Sequence, residues 1–408
     1  MRGTIIFSHP HGPPFVKAAV RALVDSSYST TVVTSIGFHE KGNWRSGPGS
    51  IGRLLRRRWI PTGADIVRAP WNEFVRVALQ VSGLREIFGI REQELVDRVY
   101  LEVGSRAARL VTSEVSAVYG YEDGSLELFR EAQRQGVPRV YDLPIMHWKR
   151  ATEAEQLEAK RYPEIASSLL TKHDSAVKRK RKDEELELAS RIVVASSLTK
   201  DSVVESGVNQ DKVKVIPYGV SLPRTNRKKM KESCFRVLFV GRVGARKGVH
   251  RLLSVWNELQ LKDAQLLIVG GNEFPRGYLE RALGSAQYLG YRSGRKLSEL
   301  YHQADLFVLP SLVEGFGLVL LEALAHGLPI LGSDHTAAPE LAAGGFCGWS
   351  FPHDSLEALR ERLLHAYLNR DQLFSLREEA EAVARMYSWD RYQQSIASLM
   401  DGVVRGEV

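Results

Sequence analysis

Cysteine is nearly absent from this chain of 408 residues, which contains only Cys234 and Cys347. Two cysteines are too few for a disulfide framework or for a metal site built from thiolates. No apolar run approaches the ~20 residues that a membrane-spanning helix needs, which argues against an integral membrane protein. The first residues turn polar after three apolar positions, so no signal-peptide pattern is visible. These absences predict a soluble, reduced, cytoplasmic protein.

The composition is that of an ordinary globular protein. Hydrophobic residues make up 44% of the chain and charged residues 25%, which argues against a mostly disordered chain or a coiled coil. The length is roughly twice that of a typical domain or more, so it predicts two domains.

The net charge of +8 is unevenly distributed along the chain. Residues 1–232 contain 38 Lys and Arg against 28 Asp and Glu, hence +10, whereas residues 233–408 contain 18 against 20, hence −2. An excess confined to the N-terminal half predicts that this half meets something acidic: a nucleic acid, a membrane surface or an anionic substrate.

Short apolar segments alternate with helical segments through the N-terminal half. A helix is predicted over residues 14–26, where apolar positions recur every three or four residues. Strands rich in β-branched residues that alternate with helices indicate parallel βαβ units, and therefore a doubly wound α/β sheet. The predicted strands are 4–8, 31–35, 64–68, 115–119, 139–142, 192–195 and 212–216.

The alternation stops at residues 217–233, which have a linker composition with two prolines and five Lys or Arg. It then restarts, with strands predicted at 236–240, 265–269, 287–289, 305–309, 329–332 and 347–350. We therefore predict two Rossmann-like domains, with ligands bound at the carboxyl ends of the strands in the cleft between them. The predicted divisions are an N-terminal domain 1–216, a linker 217–233, a C-terminal domain 234–386, and a closing helix in 387–408 that packs back on the first domain.

Two segments do not follow the alternation. The glycine-rich, basic insertion 37–63 places tryptophans and aliphatic residues among arginines over residues 44–60. Such a segment suits an anionic bilayer surface, so we hypothesise that it docks the protein to the inner face of the cytoplasmic membrane; a solvated loop is the alternative. The run KRKRKDEE at residues 178–185 balances its own charge along a helix and is interpreted as a solvated face.

The strongest chemical signal is the segment DLFVLPSLVEGFGLVLLEALAHGLPILGSD, which begins at Asp305. A strand leads into a turn with Glu314, Gly315 and Gly317, and a helix follows. Glycines before a helix N-terminus let the backbone approach an anionic ligand. Glu322 interrupts the otherwise apolar helix, and a buried carboxylate needs a partner such as a ligand hydroxyl or a basic group.

A second signal is VLFVGRVGARKG at residues 237–248. A strand runs into a glycine loop in which Arg242 and Lys247 flank Gly244. The spacing matches neither a Walker loop nor the dinucleotide fingerprint, but a guanidinium fork and an ammonium group suit a diphosphate. Cations on one loop and carboxylates on the other indicate a nucleotide diphosphate joined to a sugar.

These motifs, with SDHTAAPEL at residues 333–341 and VIPYGV at 215–220, resemble the donor half of the retaining nucleotide-sugar glycosyltransferases of family 4, which have the GT-B fold. The family's Glu-x7-Glu motif falls on Glu314 and Glu322. The resemblance is strong over residues 236–342 and topological over residues 1–150. It implies a hexosyltransferase of class EC 2.4 that uses a nucleotide-sugar co-substrate, no other cofactor and no obligatory metal.

The resemblance also implies roles for individual residues. Arg242 and Lys247 would bind the diphosphate and stabilise it as a leaving group, and Glu314 would hold the transferred sugar without acting as a nucleophile. Glu322 would bind the ribose hydroxyls, and Glu340 would either contact the donor or cap a helix. The implied donor-binding set is Gly241, Arg242, Lys247, Tyr288, Leu289, Glu314, Gly315, Phe316, Gly317, Leu318 and Glu322, with Arg242, Lys247 and Glu314 as its catalytic members.

The N-terminal half departs from the family pattern. The strand end VYGYEDG at residues 118–124 lacks the histidine that is common in the family, and it offers Tyr121 and Glu122 instead. His11 and Gly12 follow the first strand, where they would contact the acceptor or a phosphate. The alternative is that they are solvent-facing loop residues without a binding role. These four residues are the predicted acceptor side, and the predicted acceptor is a glycan or a polyprenyl-phosphate-linked sugar in the synthesis of an envelope or secreted polysaccharide.

Two other functions remain open at this point. A basic half with interleaved aromatics also suits a nucleic-acid binder, although no recognition motif is present. Retention on a nucleic-acid column at moderate salt would favour that function. A catalytically inactive sugar-nucleotide-binding regulator is the third alternative, and the intact set of cations and carboxylates argues against it.

Overall fold

Two parallel sheets organise the chain in the computed structural model, which describes residues 3–40, 58–169, 174–223 and 234–407. Helices cover both sheets, as predicted for doubly wound α/β domains. The basic insertion lies outside the described residues over 41–57, and so does most of the predicted linker, over 224–233. Within the described part of the chain, no helix combines the length and apolar character needed to cross a bilayer.

The N-terminal sheet has seven strands in the order β5-β2-β1-β6-β7-β8-β9, and all of its pairs are parallel. Its central strands are short apolar runs buried on both faces; in β1, for example, Ile5, Ile6 and Phe7 are almost fully buried. The strands are β1 (Thr4–Ser8), β2 (Ser29–Thr34), β5 (Asp65–Arg68), β6 (Val115–Tyr121), β7 (Arg139–Leu143), β8 (Arg191–Val194) and β9 (Val213–Val215), and β3 (Phe38–His39) and β4 (Trp59–Ile60) form a separate pair.

Eight helices accompany this sheet in the described residues. They are α1 (Pro14–Asp25), α2 (Trp71–Val81), α3 (Leu84–Ile87), α4 (Glu92–Ala108), α5 (Leu126–Arg134), α6 (Trp148–Arg161), α7 (Ala176–Leu188) and α8 (Ser197–Glu205).

The C-terminal sheet has six parallel strands in the order β12-β11-β10-β13-β14-β15. The strands are β10 (Phe235–Val240), β11 (Ala264–Val269), β12 (Gln287–Gly290), β13 (Leu306–Leu309), β14 (Ile330–Ser333) and β15 (Gly348–Phe351). The helices are α9 (Val249–Leu259), α10 (Tyr278–Ala282), α11 (Arg295–Gln303), α12 (Leu318–Ala325), α13 (Ala338–Leu341), α14 (Leu356–Leu368), α15 (Arg370–Leu373), α16 (Arg377–Met386) and α17 (Trp389–Arg405).

Residues 58–60, at the end of the basic insertion, contact protein rather than solvent. Arg58 is buried and forms an ion pair with Glu73 of α2, and Ile60 is 1% exposed. The ammonium group of Lys17 lies 4.0 Å from the ring centroid of Trp59. Residues 58–60 therefore pack against the domain instead of facing a bilayer, and the rest of the hypothesised membrane segment, residues 44–57, lies outside the described residues.

The interpretation of residues 178–185 as a solvated face is also wrong. Arg181, Lys182 and Glu185 of α7 are buried. Arg181 pairs with Asp97, and Lys182 lies 2.9 Å from Asp174 and 3.5 Å from Glu122. The charges of this helix are balanced by carboxylates from other elements, which lets one face of α7 lie inside the domain.

The last helix returns to the N-terminal domain. Helix α17 packs along α1, and the hydroxyl of Tyr28 donates to Asp401 over 2.6 Å. Just before this helix, the N–H of Val220 donates to the carbonyl of Tyr387 over 2.8 Å. The segment by which the chain leaves the first domain therefore lies beside the segment by which it returns. A Cβ at Gly219 would lie 2.4 Å from the backbone nitrogen of Trp389, which explains the glycine at this crossing.

A buried ion cluster joins the two domains. Glu158 of α6 accepts hydrogen bonds from Arg251 of α9, with 2.6 Å between Arg251 Nε and Glu158 Oε1, and it also contacts His250. All three side chains are almost fully buried. Burial opposes ionisation of Glu158, but the hydrogen bonds from His250 and Arg251 lower its pKa to about 2.

Candidate active site between the domains

Three cations follow strand β10 on a glycine loop. Arg242, Arg246 and Lys247 lie on this loop, and a single helical turn spans Ala245–Lys247. Gly248 has φ 68° and begins α9; a Cβ there would lie 1.9 Å from the carbonyl oxygen of Pro310. The loop therefore lies against the end of the neighbouring strand β13, which brings the cations to the second motif.

Lys247 contacts Glu314 directly. The ammonium group of Lys247 donates to Oε1 of Glu314, which also accepts from the hydroxyl of Ser311 over 3.2 Å. Both charged side chains are nearly buried. Burial, and then the guanidinium groups of Arg246 and Arg242, lower the pKa of Lys247. A diphosphate beside these three cations would favour the charged form of Lys247, because it supplies negative charge where desolvation is costly.

The Glu314 loop is held by the N-terminal domain. The N–H of Met146 donates to the carbonyl of Glu314 over 3.0 Å, and the hydroxyl of Thr199 donates to the carbonyl of Gly315 over 2.8 Å. A Cβ at Gly315 would lie 1.9 Å from the carbonyl oxygen of Pro144. The close approach that requires a glycine at this position is therefore to the first domain, and the contact of Gly315 with a ligand stays a prediction.

Helix α12 begins directly after Gly317, which has φ 86°. The N–H of Leu320 donates to the carbonyl of Gly317 over 2.8 Å. The N–H groups of Leu318 and Val319, at the start of the helix, precede the first hydrogen bond of the helical ladder. The side chain of Phe316 is buried 5.7 Å from the ring of Tyr218, so Phe316 can offer a ligand its backbone but not its ring.

The partner of Glu322 is a tyrosine. The hydroxyl of Tyr301 donates to Glu322 over 3.1 Å, and burial raises the pKa of Glu322. Glu322 is only half-buried, so a ribose hydroxyl can still reach the carboxylate. The sequence predicted the need for a partner, but it did not identify Tyr301.

The remaining donor-side residues border the same sheet edge. The backbone N–H of Gly241 donates to the carbonyl of Val269 over 2.9 Å. Tyr288 and Leu289 lie on the edge strand β12, and the hydroxyl of Tyr288 donates to the carbonyl of Gly270 over 2.9 Å.

Glu340 contacts the N-terminal domain. Its carboxylate accepts from the backbone N–H and the hydroxyl of Ser197 over 2.6 and 2.7 Å, at the first turn of α8. Of the two roles left open, the observed contact is that of a helix cap, provided across the domain boundary.

The predicted acceptor residues fall into two environments. His11 is exposed, whereas Gly12 is buried, and the ring of Tyr121 packs on His9 with 4.8 Å between ring centroids. Tyr121 is 3% exposed, so its assignment to an acceptor contact is wrong: it is a core residue. His11 lies instead at a cavity of about 200 Å³ that Arg58, Glu73 and Tyr100 also line.

Glu122 borders a cavity of about 190 Å³ between the domains. Burial raises the pKa of Glu122 to about 7, against the opposing effect of Lys182. Trp148, Asp174, Lys178 and Lys182 line the same cavity from the first domain, and Arg246 and Val313 from the second. Sequence reasoning missed Arg246, Lys178 and Lys182, although Arg246 stands between two residues of the recognised motif.

Comparisons with known proteins show which proteins this chain resembles in sequence. The family model described as glycosyl transferases group 1 matches residues 224–383. The amylovoran biosynthesis glycosyltransferase AmsK of Erwinia amylovora is 26% identical over 186 residues, which are 41% of this chain and 45% of that protein. The uncharacterized glycosyltransferase MJ1607 of Methanocaldococcus jannaschii is 29% identical over 221 residues, 49% of this chain and 56% of that protein. The chain therefore spans about half the length of these relatives.

Solved structures share the fold over nearly the whole chain. The crystal structure of Anabaena HepE in complex with UDP-glucose has a TM-score of 0.63 at 17% identity, and it covers 98% of this chain and 99% of that one. The lipopolysaccharide outer core galactosyltransferase WaaB has a TM-score of 0.56 at 13% identity, with full coverage of both chains. These neighbours confirm the predicted GT-B fold, and the matched model shows that residues 224–383 are similar to the group 1 glycosyl transferases.

Proposed function

We propose that this protein is a retaining glycosyltransferase that moves a sugar from a nucleoside diphosphate sugar to a hydroxyl group of a glycan or lipid-linked acceptor. The observation that carries the proposal is the contact of Lys247 with Glu314, with Arg242 and Arg246 on the same loop. Cations suit the diphosphate and a carboxylate suits the sugar hydroxyls. The UDP-glucose bound to HepE and the amylovoran synthesis named for AmsK support a nucleotide-sugar donor and a polysaccharide product.

In the proposed reaction, the bond between the anomeric carbon and the β-phosphate oxygen breaks, and its electron pair leaves with the diphosphate. Arg242 and Lys247 stabilise the charge that develops on this leaving group, without requiring a metal ion. Fixed charges of this kind are usually the largest single contribution to catalysis.

The acceptor hydroxyl attacks the anomeric carbon from the face that the diphosphate leaves. Its oxygen forms the new glycosidic bond, and its proton passes to an oxygen of the departing phosphate. Glu314 contacts Lys247 rather than standing free, which supports a role in holding the sugar rather than as a nucleophile.

We infer that the acceptor sugar binds in the cavity beside Glu122. Trp148 offers an aromatic side chain there, and the carboxylates offer hydrogen-bond acceptors for hydroxyls. The lysines are already paired, since Lys178 lies 3.1 Å from Asp123 and Lys182 lies 2.9 Å from Asp174. The balanced charge favours a neutral, hydroxyl-rich group in the cavity over an anionic one.

The donor is tested first by binding. We expect one of UDP-, GDP- or ADP-sugars to raise the melting temperature of the full chain, because a ligand that binds the folded state stabilises it. NMR of the anomeric proton of the product then tests retention. Failure of all three donors to bind would contradict the proposed function, and a product of inverted configuration would contradict its retaining mechanism.

We also propose that the protein lies in the cytoplasm, peripherally bound to the membrane. The exposed apolar side chains of α2 and α3 support this location better than the basic insertion 37–63 does. Trp71 is 74% exposed, Phe74 55% and Ile87 74%, while Glu73 on the inner side of α2 pairs with Arg58 and Arg76. Aromatic and aliphatic side chains on the outer face of a helix, in a half of the chain with net charge +10, suit an anionic bilayer.

Vesicle co-sedimentation tests this location. We expect binding to vesicles that contain phosphatidylglycerol to fall several-fold in the double variant Trp71→Ser, Phe74→Ser. The control variant Leu157→Ser changes an exposed leucine of α6 and should bind like the wild type. Equal binding by all three proteins would overturn the membrane proposal and leave the transfer reaction untouched.

A further inference from the structure

The N-terminal domain contains a cavity of about 200 Å³ whose polar side chains have no role in the transfer reaction as proposed. His11 follows β1, Arg58 precedes β4, and Glu73 and Arg76 lie on α2. Among the described residues, none that lines this cavity also lines the cavity beside Glu122.

The charges at this cavity are unbalanced. Glu73 accepts from Arg76 through both carboxylate oxygens, over 2.9 Å from Nε and 2.7 Å from Nη2, and it also accepts from Arg58. Burial opposes ionisation of Glu73, but the hydrogen bond from Arg76 and the charge of Arg58 lower its pKa, so Glu73 is a carboxylate at pH 7. Two guanidinium groups therefore share one carboxylate among the described residues that line the cavity, which leaves an excess of positive charge.

A neighbouring carboxylate does not remove this excess. Glu92 lies 3.9 Å from Nη1 of Arg76 but 3.2 Å from Nη1 of Arg85, so its charge is shared with a third guanidinium group. Burial lowers the pKa of Arg58 in spite of the opposing effect of Glu73, so the positive charge of Arg58 is only partly compensated. An anion in the cavity would supply the missing negative charge.

Both guanidinium groups keep hydrogen-bond donors for such an anion. Each guanidinium group has five N–H donors. Within the described part of the chain, Arg58 uses two of them, to Ser35 over 2.8 Å and to Glu73, and Arg76 uses three, to Glu73 and Gln80. The planar N–H groups of arginine suit the oxygens of a phosphate.

The rest of the cavity lining is largely apolar and reaches the protein surface. Val96, Val99 and Tyr100 of α4 contribute to it. Val99 is buried, whereas Val96 is exposed, so the apolar lining continues to the outside of the domain. A cavity that combines cations with an apolar path to the surface suits a phosphate attached to a hydrocarbon chain.

Helix α2 is inverted relative to an ordinary surface helix, which buries its apolar side chains and exposes its charged ones. Glu73 is buried, whereas Trp71, Phe74 and Val75 are exposed. An exposed apolar face of this kind indicates a surface that meets another apolar group. A helix is about 10 Å across, so the cations on the inner side of α2 lie within about that distance of the apolar face.

Helix α4 connects this cavity with the cavity beside Glu122. Gln93 lines the cavity beside Glu122, and Val96 and Tyr100, three and seven residues later, line the cavity with the arginines. Residues at this spacing lie on one side of a helix, and seven residues span about 10 Å. One acceptor molecule can therefore place its sugar beside Glu122 and its phosphate beside Arg76.

We propose that this cavity binds the phosphate of a lipid-linked acceptor through Arg58, Arg76 and His11, with the hydrocarbon chain leaving past Val96 towards the apolar face of α2. The inference rests on the proposed transfer reaction, and it narrows the acceptor to a sugar carried on a phosphorylated lipid. The three side chains hold the acceptor at its phosphate and do not contact the reacting hydroxyl group.

Calorimetric titration of the full chain with farnesyl phosphate, below the concentration at which it forms micelles, tests the proposal. We expect one molecule per chain for the wild type and about 10- to 100-fold weaker binding for Arg76→Gln, because a hydrogen bond to a charged group is lost. His11→Ala should also weaken binding, by several-fold. The matched control Arg98→Gln changes an exposed arginine of α4 outside the cavity and should bind like the wild type. Absence of binding by the wild type, or equal binding by all four proteins, would overturn the proposal.

Three further ligands identify which part of the molecule is recognised. Farnesol and inorganic phosphate each carry one of the two features, so each should bind at least about 10-fold more weakly than farnesyl phosphate. Equal binding of farnesol would contradict recognition of the phosphate, and equal binding of inorganic phosphate would indicate a site for an adventitious ion only. Tighter binding of dihexanoyl phosphatidylglycerol would assign the cavity to a bilayer lipid instead of the acceptor.

The melting temperature of each variant guards against misfolding. Arg76 is partly exposed and Glu73 keeps its contact with Arg58, so Arg76→Gln should melt close to the wild type. If Arg76→Gln is unstable, the exposed His11→Ala variant carries the test. None of these titrations needs a donor. Loss of farnesyl phosphate binding with intact nucleotide-sugar binding would therefore refute this inference alone, whereas farnesyl phosphate binding without nucleotide-sugar binding would refute the proposed function.

Discussion

At the scale of single residues, the pair of Lys247 and Glu314 carries the proposed chemistry. Lys247→Ala should lower kcat about 10²- to 10³-fold, because it removes a fixed charge from the leaving diphosphate. Glu314→Ala should also strongly impair transfer. Lys296→Ala, which changes an exposed lysine of α11, is the control. Turnover near the wild-type rate in both site variants would refute the assignment of these residues, and the measurement is product formation under single-turnover conditions.

A second prediction for a single residue concerns the ionisation of Asp142 and the pH dependence of stability. It is 1% exposed and accepts from the hydroxyl of Tyr119 over 2.7 Å, and burial raises its pKa to about 7. A carboxyl whose pKa rises on folding stabilises the native state at low pH, and this stabilisation is lost as the pH rises from about 4 to about 7.

Asp142→Asn keeps an acceptor for Tyr119 but cannot ionise. Its free energy of unfolding should therefore rise relative to that of the wild type by up to about 4 kcal/mol between pH 4 and pH 8. Urea unfolding of both proteins across this range measures the difference. A difference that does not change with pH would show that Asp142 does not titrate in this window.

At the scale of elements, the Glu314 loop depends on a glycine that faces the other domain. Gly315→Ala should destabilise the protein by about 1–3 kcal/mol and impair transfer, because its Cβ would overlap the carbonyl of Pro144. Gly271→Ala is the matched control, since a Cβ there meets nothing within 4 Å. Thermal unfolding and transfer assays compare the two variants. Equal stability and equal activity of both would contradict a role for the contact between Gly315 and Pro144 in holding the Glu314 loop.

The elements also show what could be predicted from the sequence. Strand positions were predicted to within a few residues, because buried parallel strands appear as short β-branched runs between helices. Glu314 and Lys247 were recognised from their loops. The burial of Arg181 and Lys182 was not, because Asp97, the partner of Arg181, lies 84 residues away in the sequence, and Glu122, which lies 3.5 Å from Lys182, is also distant in the sequence. A charged run looks the same on a solvated helix and in an internal ion-pair network. The partner of Gly315 was missed for the same reason.

At the scale of the whole molecule, Glu158 holds the two domains in one arrangement. Glu158→Gln leaves Arg251 and His250 buried with less compensating charge, so we expect a loss of about 3–5 kcal/mol and a larger radius of gyration in small-angle scattering. Glu153→Gln changes an exposed glutamate of the same helix and serves as the control. Unchanged scattering and stability in Glu158→Gln would mean that other contacts set the domain arrangement.

The return of α17 to α1 has a consequence for synthesis on the ribosome. Helix α1 buries one side against its own sheet, and in the described part of the chain its other side is covered by residues 389–405, which are translated after the entire C-terminal domain. The first domain therefore emerges with this apolar surface uncovered while about 170 further residues are added, roughly 10–30 s at ordinary elongation rates. During that interval we expect the nascent chain to be a substrate for chaperones, and a stall before residue 389 would leave a folded C-terminal domain attached to an incompletely covered first domain.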